Sequence, residues 1–104
     1  VRVKICGNTS PEQAEWCAAA GADCVGFVVE YPAPVPWNLS RQRASELLSL
    51  VPPMVARAVV TGGAPNAVLA LARFLMPHLV QLHTDNSLEE TAAIARGLAP
   101  LGSA

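Results

Sequence analysis

Apolar positions along the chain fall in short blocks, and the spacing between them changes from block to block. Val1-Arg2-Val3-Lys4-Ile5-Cys6 alternates apolar residues with cations, the period of a strand. Cys24-Val25-Gly26-Phe27-Val28-Val29 is continuously apolar, as a strand buried on both faces of a parallel sheet reads. Val55-Ala56-Arg57-Ala58-Val59-Val60 and Leu79-Val80-Gln81-Leu82-His83 predict a third and a fourth strand. Helical signals lie between them. Ser10 is a cap, Pro11 suits a first helical position, Gln13 completes a capping box, and Gly21 is a stop. Ser40 caps a second helix over Arg41 to Leu50, stopped by Pro52-Pro53. Pro65 opens a third, which ends near Met76-Pro77. Ser87-Leu88-Glu89-Glu90 is a second capping box; its helix runs to about Leu98, and Gly97, Pro100 and Gly102 end it. Tyr31 to Trp37, with prolines at 32, 34 and 36, is an extended loop.

The order is β-α-β-α-β-α-β-α, and the strand starts near 1, 24, 55 and 79 recur every 24 to 31 residues. Such alternation means a parallel sheet with right-handed crossovers. Two architectures fit it: an open flavodoxin-like sheet, or (β/α)4, half of a (β/α)8 barrel with strands in the order 1-2-3-4. Residues 1–104 then make one unit, and the half barrel is part of a larger domain. Composition bears on this choice. The chain is 52% apolar and only 14% charged, which excludes a disordered chain. It is also apolar for a lone domain of this size, whose surface is large relative to its core. A half barrel has two bare strand edges, and an inner face with Ile5, Val25, Phe27, Val59, Val80 and Leu82 as candidates. Covering these calls for a partner, either the remaining half barrel or a second copy.

A net charge of −1 gives no footprint for nucleic acid. No apolar run approaches the roughly 20 residues of a membrane helix, so no membrane partner is expected. The polar opening Val1-Arg2-Val3-Lys4 does not suit a signal peptide, and three cysteines make no disulfide framework. The expected compartment is the cytoplasm.

Function in either architecture sits at the C-terminal ends of strands. Cys6-Gly7-Asn8, Glu30-Tyr31, Thr61-Gly62-Gly63 and His83-Thr84-Asp85 occupy those ends. A thiolate at Cys6 can act as base or nucleophile; a small buried apolar residue is the other reading. Alternation puts Arg2, Lys4 and Cys6 on one face. His83 is an acid–base candidate or a strand-end residue with a structural hydrogen bond. One histidine and one aspartate make no metal set, so no metal is expected. Cys17 and Cys24 read as core, His78 as solvated and Trp16 as packing. Trp37 reads as lining a pocket or a partner surface, and Gly62-Gly63 as a turn or a phosphate cradle.

Three ordered stretches carry a resemblance: Val3-Lys4-Ile5-Cys6-Gly7-Asn8-Thr9, Gly21-Ala22-Asp23-Cys24-Val25-Gly26-Phe27-Val28 and Val80-Gln81-Leu82-His83. With them the chain resembles the N-terminal half of phosphoribosylanthranilate isomerase, a (β/α)8-barrel enzyme of tryptophan biosynthesis. The resemblance implies an Amadori rearrangement of an aminoaldose phosphate to an aminoketose, without cofactor, on a small phosphosugar substrate. It makes Cys6 the catalytic base and puts Gly7, Asn8, His83 and Asp85 around the substrate. The family's general acid and phosphate loops belong to the other half. Trp37 stands about where the family carries an arginine for the anthranilate carboxylate, and Thr84 where it carries a glycine. The alternatives are a non-catalytic half-barrel interaction module, or a divergent relative with another substrate.

Overall fold

The computed structural model describes residues 1–83 and 85–104; Thr84 lies outside them. Four strands, β1 (Lys4–Ile5), β2 (Cys24–Val28), β3 (Ala56–Thr61) and β4 (Leu79–Leu82), alternate with four helices. The helices are α1 (Pro11–Ala19), α2 (Arg41–Ser49), α3 (Pro65–Leu75) and α4 (Leu88–Leu98). The strands are parallel and lie in sequence order, β1-β2-β3-β4. There is no switch in that order, so the flavodoxin-like alternative is ruled out.

The caps explain the helix starts. Ser87 and Glu90 form a complete, reciprocal capping box at α4. At α1 only half of the expected box exists. Ser10 Oγ accepts from the Gln13 N–H, but the Gln13 side chain reaches past it and accepts from the backbone N–H and hydroxyl of Thr9. Gly97 does not end α4. A β-carbon there would lie 2.6 Å from the methyls of Leu69, so its absence lets α3 pack closely on α4. The helix runs on to Leu98 and closes in a 3₁₀ turn, Ala99–Leu101.

All four helices pack on one face of the sheet. Val25 and Phe27 of β2 and Val59 of β3 meet Ala14 of α1, Leu47 of α2 and Leu71 of α3. Val80 and Leu82 of β4 meet Val68 and Ala72 of α3 and Ile94 and Leu98 of α4. This corrects the expected inner face. Val25, Phe27 and Val59 are buried beneath helices rather than open to water, and Val80 and Leu82 turn the same way. In a run that is apolar on both sides, hydrophobicity alone does not say which side meets the helices. Volume decides it. The largest side chain, Phe27, fills the deep helix–sheet layer, and the opposite face receives Gly26 and Ala58 at its centre, with Val28, Val60 and the polar side chains beyond them.

β1 is shorter than the expected Val1–Cys6. Its flanks still join β2 through bonds from the Asp23 and Cys24 N–H groups to Val3 O and from Asn8 N–H to Gly26 O. Beside β4, the Ala104 N–H donates to His78 O and the Val80 N–H donates to Ala104 O, at 3.0 and 2.7 Å. That is the bonding pattern of a parallel neighbour. No helix among the described residues is long and apolar enough to cross a membrane.

Phe27 has no exposed surface and anchors the larger core cluster. Phe27→Ala is expected to cost about 3–5 kcal/mol, read as a lower urea midpoint with unchanged m. A loss below about 1 kcal/mol would place Phe27 on the open face.

Candidate active site

The face away from the helices is concave, and its chemistry begins with a missing side chain. A β-carbon on Gly26 would lie 3.1 Å from Cys6 Sγ and 3.2 and 3.3 Å from Lys4 Cε and Nζ. The bare backbone of β2 is therefore the space into which the side chains of Lys4 and Cys6 lean. Lys4 Nζ also donates to Gln81 Oε1 on β4 at 2.7 Å. A cavity of about 350 Å³ opens on this face. Lys4, Cys6, Gln81 and His83 give it polar groups, Val28 and Val60 an apolar floor, and Tyr31, Val35 and Trp37 a side wall.

The wall is a built structure. Leu39 bridges Val29 in parallel, which closes the base of the loop. Asn38 then clamps Tyr31: its Oδ1 accepts from the Tyr31 N–H at 3.0 Å and its Nδ2 donates to the Tyr31 carbonyl at 2.9 Å. The Tyr31 hydroxyl donates to His83 O, and its ring meets the imidazole edge-on at 5.6 Å. Gly62 makes room for that ring, since a β-carbon there would lie 3.3 Å from Tyr31 Cε2. Gly62-Gly63 thus serves a turn packed under Tyr31, and Gly63 O accepts from Asn86 Nδ2. Glu30 starts the loop with φ +45°, a conformation uncommon outside glycine. Its carboxylate holds Arg41 through two bonds, at 2.7 and 2.9 Å, and accepts the Arg41 backbone N–H as well. The hydrogen bonds from Arg41 hold the Glu30 carboxyl below the usual range, against a smaller opposing effect of burial.

Of the residues read from sequence, Cys6 and His83 line this one cavity. Gly7 follows Cys6 with φ +76°, the turn that ends β1. Asn8 is buried and fully engaged. Its Nδ2 donates to the carbonyls of Ile5 and Gly26, and its Oδ1 accepts from Cys17 Sγ. It fixes the Cys6 end of β1 onto β2. Asp85 is exposed, with its N–H on His83 O, and does not line the cavity. Trp37 does line it, whereas Trp16 lies 68% exposed on α1. Cys24 is buried; burial pushes its thiol up, opposed by the Lys4 ammonium.

Lys4 and Gln81 were not singled out as site residues in the sequence. The alternation that groups Lys4 with Cys6, and Gln81 with His83, carried the signal. A larger apolar groove, about 420 Å³, runs along the β1 edge past Val3, Ile5 and Trp16. Its one reactive side chain, Cys17, is tied to Asn8, so the concave face is the better candidate. Among the described residues no cluster of three His, Cys, Asp or Glu is placed to hold a metal.

No protein-family model matches the chain. It is 38% identical over 94 residues to N-(5'-phosphoribosyl)anthranilate isomerase of Methanosarcina acetivorans, covering 89% of this chain and 40% of that protein. The same-named protein of Haloferax volcanii is 36% identical, over 96% of this chain and 47% of its own length. Among solved structures, phosphoribosylanthranilate isomerase from Thermotoga maritima superimposes with a TM-score of 0.84 at 37% identity, over 92% of this chain and 46% of that one. A crystal structure of such an isomerase in complex with reduced 1-(o-carboxyphenylamino)-1-deoxyribulose 5-phosphate matches equally, with a TM-score of 0.84. The resemblance carried by the three sequence motifs is thus borne out along nearly the whole chain, and the fold is that of half such a barrel. The chain spans less than half the length of these relatives.

The Glu30–Arg41 pair gives a signed pH dependence. A carboxyl held low in the fold contributes stability above its unfolded value, about 4.3. That contribution is lost as pH falls through the folded value. Glu30→Gln is therefore expected to be less stable than wild type at pH 7, with the gap narrowing in urea titrations as pH falls below that unfolded value. A gap that does not change with pH would mean that the ion pair is not its source.

Proposed function

We propose that this chain is the Cys6-bearing half of a cofactor-independent isomerase that converts an N-aryl aminoaldose phosphate to the aminoketose. One observation carries the reading. The exposed thiol of Cys6 lines the open cavity on the concave face, just past the C-terminal end of β1, in a chain similar over about nine tenths of its length to phosphoribosylanthranilate isomerases. In the proposed reaction the sugar ring opens to a Schiff base between C1 and the aryl nitrogen. The Cys6 thiolate takes the proton from C2 of the N-protonated Schiff base, becoming a thiol; the C–H electron pair forms the C1=C2 bond and the C1=N pair returns to nitrogen, giving the neutral enaminol. Tautomerisation, with a proton returned to C1 and one lost from the C2 hydroxyl, gives the ketone. Hydrogen only shifts within the substrate, so the balance needs no oxidant or reductant. A thiolate is suited to this step when it lies within hydrogen-bond reach of the carbon acid.

The other assignments follow from placement. Asn8 holds the end of β1 so that Cys6 keeps its aim. The Gly7 turn leaves backbone open beside the thiol, the His83 ring borders the substrate, and Asp85 stands at the outer rim. The acid that opens the ring and the groups that hold the phosphate come from the remaining half of the barrel. That half covers the β4 edge, where Ala104 already takes up the bonding of a parallel neighbour, and the apolar groove beside Trp16. Together the halves form one (β/α)8 domain working in the cytoplasm. A divergent substrate is the second reading, and Trp37 favours it, because an indole in the wall replaces the expected guanidinium.

The test is steady-state turnover of phosphoribosylanthranilate by the full-length protein and its cysteine variants. Cys6→Ser should lower kcat by at least about 10²-fold, the low end for a general base, with little change in KM. Cys17→Ser and Cys24→Ser should cost stability rather than turnover. Near-normal kcat in Cys6→Ser would remove Cys6 from the mechanism.

A further inference from the structure

Residues 31–37 form one wall of the concave cavity, yet their backbone can do little to hold it, since prolines at 32, 34 and 36 remove three N–H groups. The base of the loop is fixed beside β2. The Leu39 N–H donates to Val28 O, and the Glu30 N–H donates to Leu39 O, both at 2.9 Å. Above that base the fastening centres on Asn38. Its N–H donates to Val35 O at 3.1 Å, closing a turn with Pro36 and Trp37 at the corners. Proline presets the backbone angle that the first corner needs. The Asn38 side chain then grips the other limb of the loop, accepting the Tyr31 N–H and donating to the Tyr31 carbonyl. Tyr31 in turn reaches the far strand, where its hydroxyl donates to His83 O. The wall therefore runs from the end of β2 to the end of β4, and one half-buried asparagine joins its two limbs.

Asn38 does not itself line the cavity, whereas Val35, Trp37 and Tyr31, the residues it fastens or adjoins, do. A substrate that meets a wall already in place need not order that wall as it binds. Such contact is made in the ground state and the transition state alike, so losing it raises KM and leaves kcat. Cys6 stands at another strand end and is aimed by Asn8 rather than by this loop. We propose that Asn38 is a positioning residue for the reaction of this cavity: by tying Tyr31 to the turn that carries Trp37, it fixes the wall against which the substrate is held for Cys6. The inference rests on the isomerase reading and adds to it a residue that acts only through its neighbours.

Steady-state kinetics with phosphoribosylanthranilate and amide hydrogen exchange at Tyr31, both on the full-length protein, test this together. Asn38→Ala removes both side-chain bonds. It is expected to raise KM at least about 10-fold with kcat within about twofold of wild type, the scale of one or two hydrogen bonds lost from binding. Asn38→Asp keeps the shape but sets a second oxygen against the Tyr31 carbonyl. It should raise KM as the alanine does, which a role in filling space would not. Ser103→Ala is the stability control, because its hydroxyl bonds the Pro77 carbonyl at the opposite end of the sheet. It should lower the urea midpoint and leave KM unchanged. Exchange at the Tyr31 amide should quicken in Asn38→Ala and not in Ser103→Ala. An unchanged KM in Asn38→Ala, a loss that falls on kcat instead, or a Tyr31 amide that exchanges as fast in wild type as in Asn38→Ala would each overturn the proposal and leave the isomerase reading intact. An inactive wild type would overturn the isomerase reading, and with it the reaction that Asn38 serves.

Discussion

Lys4 and Gln81 stand on the two outermost strands of a four-stranded sheet, yet their side chains meet at 2.7 Å. Neighbouring strands are about 4.8 Å apart, so in a flat sheet these two would lie roughly 14 Å from each other. Side chains stand roughly perpendicular to a sheet, and on a flat one the pair would point side by side. Curvature tilts them together. The same curvature brings Cys6, just after β1, and His83, just after β4, around one cavity. Its means are visible in the inner surface, where Gly26 and Ala58 stand in register at the centre and present almost no volume. The bulk that would flatten the sheet has gone to the helix side as Val25, Phe27 and Val59.

The wall of the cavity depends on a different constraint. A loop with three prolines between residues 31 and 37 has few N–H groups to offer. Side chains supply its order instead. Asn38 bonds both backbone groups of Tyr31, as a neighbouring strand would, and Glu30 accepts its strained backbone in exchange for three bonds from Arg41. The loop is therefore a preformed wall that carries Trp37 and Tyr31 to the site.

Much of this was legible in the sequence, for identifiable reasons. The strands and helices announced themselves by period and by caps, and Cys6 and His83 by their places at strand ends. The face of each strand was not legible where both sides are apolar. Cys24 to Val29 reads the same from either side, and only the volume of Phe27 against the bareness of Gly26 separates them. Gln13 and Gly97 misled for a local reason. Each fits a common motif, and each answers to a neighbour outside it, Thr9 in one case and Leu69 in the other. Lys4 was read only as sharing a face with Cys6, and Gln81 not at all, because their importance lies in a contact 77 residues apart.

The central claim is that β1 and β4 are drawn together across a concave face. A double-mutant cycle on Lys4 and Gln81 tests it most directly, with unfolding free energies of wild type, Lys4→Met, Gln81→Leu and the double variant. Two residues joined by a hydrogen bond should couple by about 0.5–1.5 kcal/mol. Independent effects that simply add would mean that the two side chains do not meet, and that the sheet is too flat to form the cavity.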